Sequence, residues 1–216
     1  MRMVPSLRPA AGAGALAVLL LAFVATASAR AASGGDDVWD RLAAQDQARG
    51  SFTQELLDEE GTLIERSSGR YAILRPGYFR WEIEQPDRQQ LVVADATLWH
   101  YDMDLGTVTV REVDPDAQFT ALDLLAGDQA ELAGRFSVEQ LGEGRFRLLP
   151  RFPRAGFGAV VLSWEGSTIT AMEVQQRGGQ TLSLALTPDS DDAPLRAEDF
   201  AFEVPPGVEV QRGSGF

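Results

Sequence analysis

A single histidine, His100, must serve any chemistry in this chain that needs an imidazole, and neither cysteine nor lysine accompanies it. Without thiols there is no thiolate nucleophile, no thiolate metal site and no disulfide framework. Without lysine there is no Ser–Lys pair, since all 19 basic residues are arginine. One lone strand histidine leaves the common hydrolase triads and His-rich metal sites without a constellation. Carboxylates are plentiful. Glu82/Glu84 and Asp102/Asp104 are pairs at i and i+2, which share a strand face. A two-carboxylate hydrolase could use such a pair, but in an acidic chain they read as a solvated face. Asp189, Asp191 and Asp192 crowd one loop yet lack the glycine and distal glutamate of an EF-hand loop. Gly142-Glu143-Gly144 and Gly178-Gly179 read as hairpin turns, because no helix signal follows either, as a phosphate cradle requires. The residues point to a protein that holds something rather than an enzyme, with no metal and no cofactor.

The elements that would position these side chains begin after an export signal. Arg2 and Arg8 precede an uninterrupted run of small and apolar residues from Ala10 to Ala25, and Ala27-Ser28-Ala29 offers a cleavage site. Residues 1–29 are thus expected to be a signal peptide and residues 30–216 a single domain. No cysteine follows the apolar run, so no lipid anchor is expected. No later segment is long enough to cross a bilayer, and a net charge of −13 repels nucleic acid and anionic membrane surfaces.

Asp36 and Asp37 suit a helix start, and Val38, Leu42, Gln45 and Arg49 carry a helical period up to Gly50. The period then changes to two. Short strands are expected at Phe52–Leu57, Thr62–Leu74, Tyr78–Glu84, Gln89–Asp95, Thr97–Tyr101 and Thr107–Val113. A short helix is expected over Phe119–Leu125, where Leu122 and Leu125 share a face. Further strands follow at Phe136–Leu141, Arg145–Leu149, Ala159–Trp164, Thr168–Gln175, Thr181–Leu186 and Phe200–Val204. Such a rhythm predicts a mainly β chain with a few helices, built on one large antiparallel sheet.

Alternation along the strands predicts one strongly apolar face. Phe79, Trp81 and Ile83 share a side of their strand; so do Leu91 and Val93, Trp99 and Tyr101, and Leu182, Leu184 and Leu186. Two short helices are little cover for so large a sheet. The residues leave open whether that face is a packed core or the wall of a ligand space.

Between Arg75 and Asp102 the sequence reads Arg75-Pro76-Gly77-Tyr78-Phe79-Arg80-Trp81, then Pro86, then Leu91-Val92-Val93-Ala94-Asp95, then Thr97-Leu98-Trp99-His100-Tyr101-Asp102. With Phe52-Thr53-Gln54, Gly179-Gln180-Thr181 and the late Phe200-Ala201-Phe202 and Pro205-Pro206-Gly207-Val208, this resembles the LolA family, periplasmic carriers of outer-membrane lipoproteins. The resemblance runs from about Asp36 to Val210. It implies an unclosed, strongly curved antiparallel half-barrel with a helical lid over an apolar cavity. It implies that Arg75 latches the lid to helix backbone, that Phe79 serves loading, and that Phe79, Trp81, Leu91, Val93, Trp99, Leu182, Leu184 and Leu186 touch acyl chains, with Leu122 and Leu125 on a lid helix. The implied partners are acylated lipoproteins, an inner-membrane lipoprotein-releasing ABC transporter of the LolCDE type and an outer-membrane receptor of the LolB type. The implied carrier is a periplasmic monomer and chaperone. Ala121 stands where the family often has proline before this lid helix, and the loop before the last strand is unusually acidic. A sensing module of the same fold and a paralogue dedicated to one export cluster are the alternatives. The physical need for a carrier is plain: at about 0.8 kcal/mol per methylene, an acyl chain of some 14 methylenes holds to a membrane by roughly 11 kcal/mol.

Overall fold

The computed structural model describes residues 34–113, 123–152, 155–190 and 193–213. Its frame is one twelve-stranded sheet among the described residues. The strands are β1 (Gln47–Leu57), β2 (Leu63–Leu74), β3 (Tyr78–Gln85), β4 (Gln89–Ala94), β5 (Thr97–Asp102), β6 (Thr107–Glu112), β7 (Phe136–Gly142), β8 (Arg145–Pro150), β9 (Phe157–Glu165), β10 (Thr168–Gln176), β11 (Thr181–Pro188) and β12 (Glu209–Arg212). Their order across the sheet is β12-β6-β5-β4-β3-β2-β1-β11-β10-β9-β8-β7, with every pair antiparallel except β12 against β6. The sheet is unclosed, with β12 and β7 as its two edges. Among the described residues three α-helices accompany it: α1 (Gly34–Ala43), α2 (Asp123–Ala126) and α3 (Gln129–Arg135).

Two glycines let neighbouring strands close up. A Cβ at Gly69 would stand 1.7 Å from the Glu82 carbonyl oxygen, and one at Gly50 would stand 2.1 Å from that of Thr187. A side chain fits at neither place. The wrap that results brings β2 and β10 to one cavity, although β1 and β11 lie between them in the sheet.

Ladder register assigns the faces. Phe52 pairs with Leu186 and Gly69, Tyr71 with Trp81, Ile73 with Phe79, Phe79 with Val93 and Trp81 with Leu91. Directly opposed residues share a face, so these side chains form one concave wall. Leu184, Met172, Leu162 and Phe146 continue it in register across β11, β10, β9 and β8. Val38 and Leu42 of α1, Leu124 and Leu125 of α2 and Leu132 of α3 are fully buried against the same cluster. Helix α1 is tied down from its other side: Arg41 pairs with Asp37 at 3.1 Å and donates to the Gly166 carbonyl in the β9–β10 turn at 3.1 Å.

The convex face has its own small core at the β3–β6 end. Val92 and Val108 are wholly inaccessible there, as is Phe200 from the C-terminal segment. Phe202 lies beside Trp99 and Tyr101, with centroids 6.1 and 6.2 Å apart. Arg80 donates to the carbonyls of Asp199 (2.6 Å) and Ala201 (3.2 Å), strapping the segment across the sheet.

Three elements differ from the sequence reading. The first helix ends at Ala43, not Gly50, because residues 47–50 pair with 71–74 of β2 and that ladder outweighs the helical spacing of Gln45 and Arg49. Phe200–Val204 is not a strand: Ala197–Phe200 is a 3₁₀ turn, and the chain past it lays Phe200 and Phe202 on the sheet rather than pairing with an edge. The last strand is β12 instead. Helix α3 was not anticipated, although Asp128 caps it by accepting from the Glu131 amide at 3.1 Å and the D-x-x-E spacing is legible. Of the expected helix Phe119–Leu125, residues 119–122 and so Leu122 lie outside the described residues, while residues 123–125 fall within α2 (Asp123–Ala126).

Candidate functional site

Arg75 ends β2's run toward the lid and turns its guanidinium onto two helices at once. Nε donates to the Leu125 carbonyl of α2 at 2.7 Å and Nη1 to the Leu42 carbonyl of α1 at 2.7 Å. Both acceptors lie in a last helical turn, where carbonyls lack intrahelical partners and carry the negative end of the helix dipole. The backbone repeats the link: Arg75 N donates to Asp46 O at 2.8 Å and Gly77 N to Ala126 O at 2.9 Å. Burial pushes the guanidinium's pKa down to about 10, against an opposing pull from Asp46. Arg75 therefore remains charged at neutral pH. Charge-assisted bonds of this kind contribute about 1.5–3 kcal/mol each.

Beneath Arg75 stands an aromatic stack. The rings of Phe52 and Trp81 lie 3.8 Å apart and 21° from parallel, and Phe79 and Trp81 stack at 5.7 Å. Tyr71 tilts onto Trp81 at 6.1 Å. Its hydroxyl is pushed up to about 12, by burial first and by Asp189 second. A cavity of about 300 Å³ opens beside the stack, bounded by Ile73, Tyr71, Arg75, Leu125, Ile169 and Leu186 among others.

The structure brings most of the sequence-predicted residues together. Phe79, Trp81, Leu184, Leu186 and Leu125 are buried in the concave cluster, and Leu91, Val93 and Leu182 pack against it half-buried. Trp99 is an exception. Val92 pairs with Trp99 and Leu91 with His100, so Trp99 stands on the convex face under Phe202 and cannot share a wall with Trp81. The turn between β4 and β5 explains this. Asp95 and Ala96 both have positive φ, at 48° and 56°, which makes a two-residue hairpin turn, and such a turn fixes the parity of the strand that follows. With Asp95 counted inside the strand, as on the sequence, that parity was lost. His100 instead takes the concave side, its Nε2 2.9 Å from Gln89 Oε1.

Tyr71, Ile73, Phe52 and the α3 residue Leu132 also belong to this buried cluster; the sequence reading named none of them as a site residue, and Phe52 only as part of the Phe52-Thr53-Gln54 motif. Phe52 carried a signal: it begins an alternation with Gln54 and Leu56 that faces Leu186, Leu184 and Leu182 in register. The carboxylate pairs are accounted for structurally. Glu82 accepts from Gln90 at 2.8 Å. Asp102 accepts the amides of Asp104 and Leu105 to shape a turn. Asp104 accepts from the Arg88 amide at 2.8 Å, the main reason its carboxyl is held low. Asp191 and Asp192 lie outside the described residues. Among the described residues no three His, Cys, Asp or Glu are placed to hold a metal, and no helix is long and apolar enough to cross a membrane.

Residues 44–203 match the family model described as outer membrane lipoprotein carrier protein LolA. The outer-membrane lipoprotein carrier protein of Methylococcus capsulatus is 34% identical over 163 residues, covering 74% of this chain and 78% of that protein. The carrier protein of Alkalilimnicola ehrlichii is 34% identical over 167 residues, covering 77% and 78%. Among solved structures, a LolA superfamily protein from Nitrosomonas europaea aligns over 78% of this chain and 97% of its own, with a TM-score of 0.47 and 10% identity. The chain belongs to the LolA family of lipoprotein carrier proteins, a family of binding and transport proteins rather than enzymes.

Proposed function

We propose that this protein is a periplasmic carrier that takes acylated lipoproteins from an inner-membrane ABC transporter of the LolCDE type and hands them to an outer-membrane receptor of the LolB type. The reading rests on one observation above all: Arg75 joins the ends of two lid helices over an aromatic wall. Residues 1–29 act as a cleaved export signal, and the mature chain works as a monomer.

The geometry supplies a two-position device. In the shut state the lid covers the wall, and the cavity of about 300 Å³ is at the small end for a ligand site. A loaded state must swing α1 or α2 away to make room. Opening costs the two guanidinium bonds and exposes apolar surface, and an acyl chain lying on Phe79, Trp81, Leu91 and Val93 offsets that cost. Binding is then close to balanced, as a carrier requires: it holds the chain out of water and gives it up to a receptor with a firmer grip.

The test is purification of the mature protein from periplasm with transfer to the outer membrane blocked, followed by mass spectrometry of co-purifying material. Acylated protein in about equimolar amount is expected. Recovery of the carrier with no acylated protein under that block sinks the reading.

A further inference from the structure

Aromatic side chains aside, Ser67 is the one polar residue that is buried among the described residues, at 3% exposure. Its Oγ has no hydrogen-bond partner. A buried hydroxyl without a partner is rare enough to need a reason. Ser67 pairs with Gln54 across the β1–β2 ladder, so the two side chains share a face, about 5 Å apart at Cβ. That face is the concave one, because the neighbouring rung is Phe52 with Gly69. Gln54 is half-buried, and its side chain bonds to no described residue either. Around the pair the wall is apolar. The Phe52–Trp81 stack lies on one side, and Leu184, which pairs with Gln54 from β11, is 2% exposed.

The pair offers a hydroxyl and a side-chain amide, hence donors for a carbonyl and an acceptor for an N–H. Hydrocarbon uses neither. An ester uses only the donors, and a secondary amide uses both. Position favours the same group. Arg75 ties the lid at one end of the wall. Gln54 and Ser67 stand toward the other end, with Gln54 three residues, about 10 Å, from the end of β1 at Leu57. A polypeptide borne by the cargo leaves at that untied end, and the join between acyl chain and polypeptide falls at the pair.

We propose that Gln54 and Ser67 read an amide-linked acyl chain: Ser67 Oγ donates to the amide carbonyl, and Gln54 Oε1 accepts the amide N–H. The inference rests on the carrier reading and adds to it a pair of specificity-determining residues. Apolar rings hold the chains of a phospholipid as readily as those of a lipoprotein. Ester-linked phospholipid chains bring no N–H, so they desolvate Gln54 Oε1 without giving it a partner. A site built on buried polar groups rejects an analogue that leaves them unpaired. In the empty protein the Ser67 hydroxyl goes without a partner, and the cargo supplies one.

The experiment titrates the mature protein with a dodecanoyl peptide joined through an amide and with its ester counterpart, in which oxygen replaces the N–H. The amide form is expected to bind about tenfold more tightly, the worth of one hydrogen bond in a desolvated site. In Gln54→Leu the amide-to-ester ratio is expected to fall to within about twofold while both forms still bind; Gln54→Met serves should that variant not fold. Ser67→Ala is expected to keep the ratio and to weaken both forms by about three- to tenfold. It should leave the urea midpoint unchanged or raised, since it removes an unpaired hydroxyl from the empty protein. Equal binding of the two forms by the unaltered protein overturns the proposal. So does a ratio that survives in Gln54→Leu, or a Ser67→Ala variant that binds both forms at full strength. A lowered midpoint in Ser67→Ala makes Ser67 a structural residue and overturns its part in the site. Failure of both forms to bind the unaltered protein overturns the carrier reading instead.

Discussion

The indole of Trp81 stacks on the ring of Phe52 at 3.8 Å, although the two strands that carry them, β3 and β1, are separated in the sheet by β2. On the middle strand Phe52 pairs with Gly69 while Trp81 pairs with Tyr71 two residues along, so the two rings meet diagonally over the glycine. An absent side chain in the middle strand lets two large rings from its neighbours meet. Trp81 is 3% exposed. Trp81→Ala is expected to cost about 3–5 kcal/mol in urea unfolding and to weaken acyl binding as well.

The Arg75 bonds fasten lid to sheet rather than holding the sheet itself. Arg75→Leu should speed amide exchange in α1 and α2 by about one to two orders of magnitude, because each helix loses one charge-assisted bond. Exchange in β9–β11, which Arg75 does not bond, should be unchanged. Uniform acceleration across the sheet would show that Arg75 is part of the frame instead.

Trp99 and Trp81 separate the two faces. Trp99 packs on Phe202 across the convex side. Trp99→Ala is expected to lower stability by about 2–4 kcal/mol and to leave lipopeptide affinity within about twofold, where Trp81→Ala loses both. Equal losses of affinity in the two variants would place both rings on one ligand.

Ala96 sits at φ 56° in the β4–β5 turn. A side chain in that left-handed region costs about 1–2 kcal/mol that glycine does not incur. Ala96→Gly should therefore raise the urea midpoint by an amount equivalent to about 1 kcal/mol, less the extra entropy of an unfolded glycine.

His100 is the only histidine, and burial first, with Arg111 adding, holds its pKa below 6.5 in spite of Asp102. The unfolded chain takes up that proton at 6.5, before the folded one does. Below that pH the unfolded state holds more protons, so stability falls as pH drops from 6.5 and levels off once folded His100 is protonated. A single histidine resonance titrating below 6.5 checks the direction, and His100→Gln should flatten the stability profile between about pH 6.5 and 5.

Much of the strand order was legible because period two and turn residues are local properties. β2, β3, β8 and β11 appear within one or two residues of their expected ends. Most of the concave wall was legible for a related reason: within one strand alternation is reliable, so Phe79 with Trp81, and Leu182 with Leu184 and Leu186, stay together, whereas Arg75 was pointed to only by the family resemblance. The errors arose where parity must pass through a turn or where non-local pairing competes with local preference. Trp99 changed face at Asp95-Ala96. Residues 47–50 left a helical spacing for the β1–β2 ladder. Phe200 and Phe202 alternate like a strand and yet cap a sheet face.

Sequence alone determined what chemistry is missing and which side chains are apolar: one imidazole, no thiol, no amine, and strands with one greasy side. Those follow from composition and from a two-residue repeat that no tertiary contact alters. Only the tertiary structure decided that Phe52, Trp81 and Phe79 stack in one layer, that Trp99 lies behind it, and that one guanidinium reaches Leu42 and Leu125 together. Each of these joins residues dozens of positions apart, and their meeting is fixed by sheet register and curvature, which are properties of all twelve strands at once.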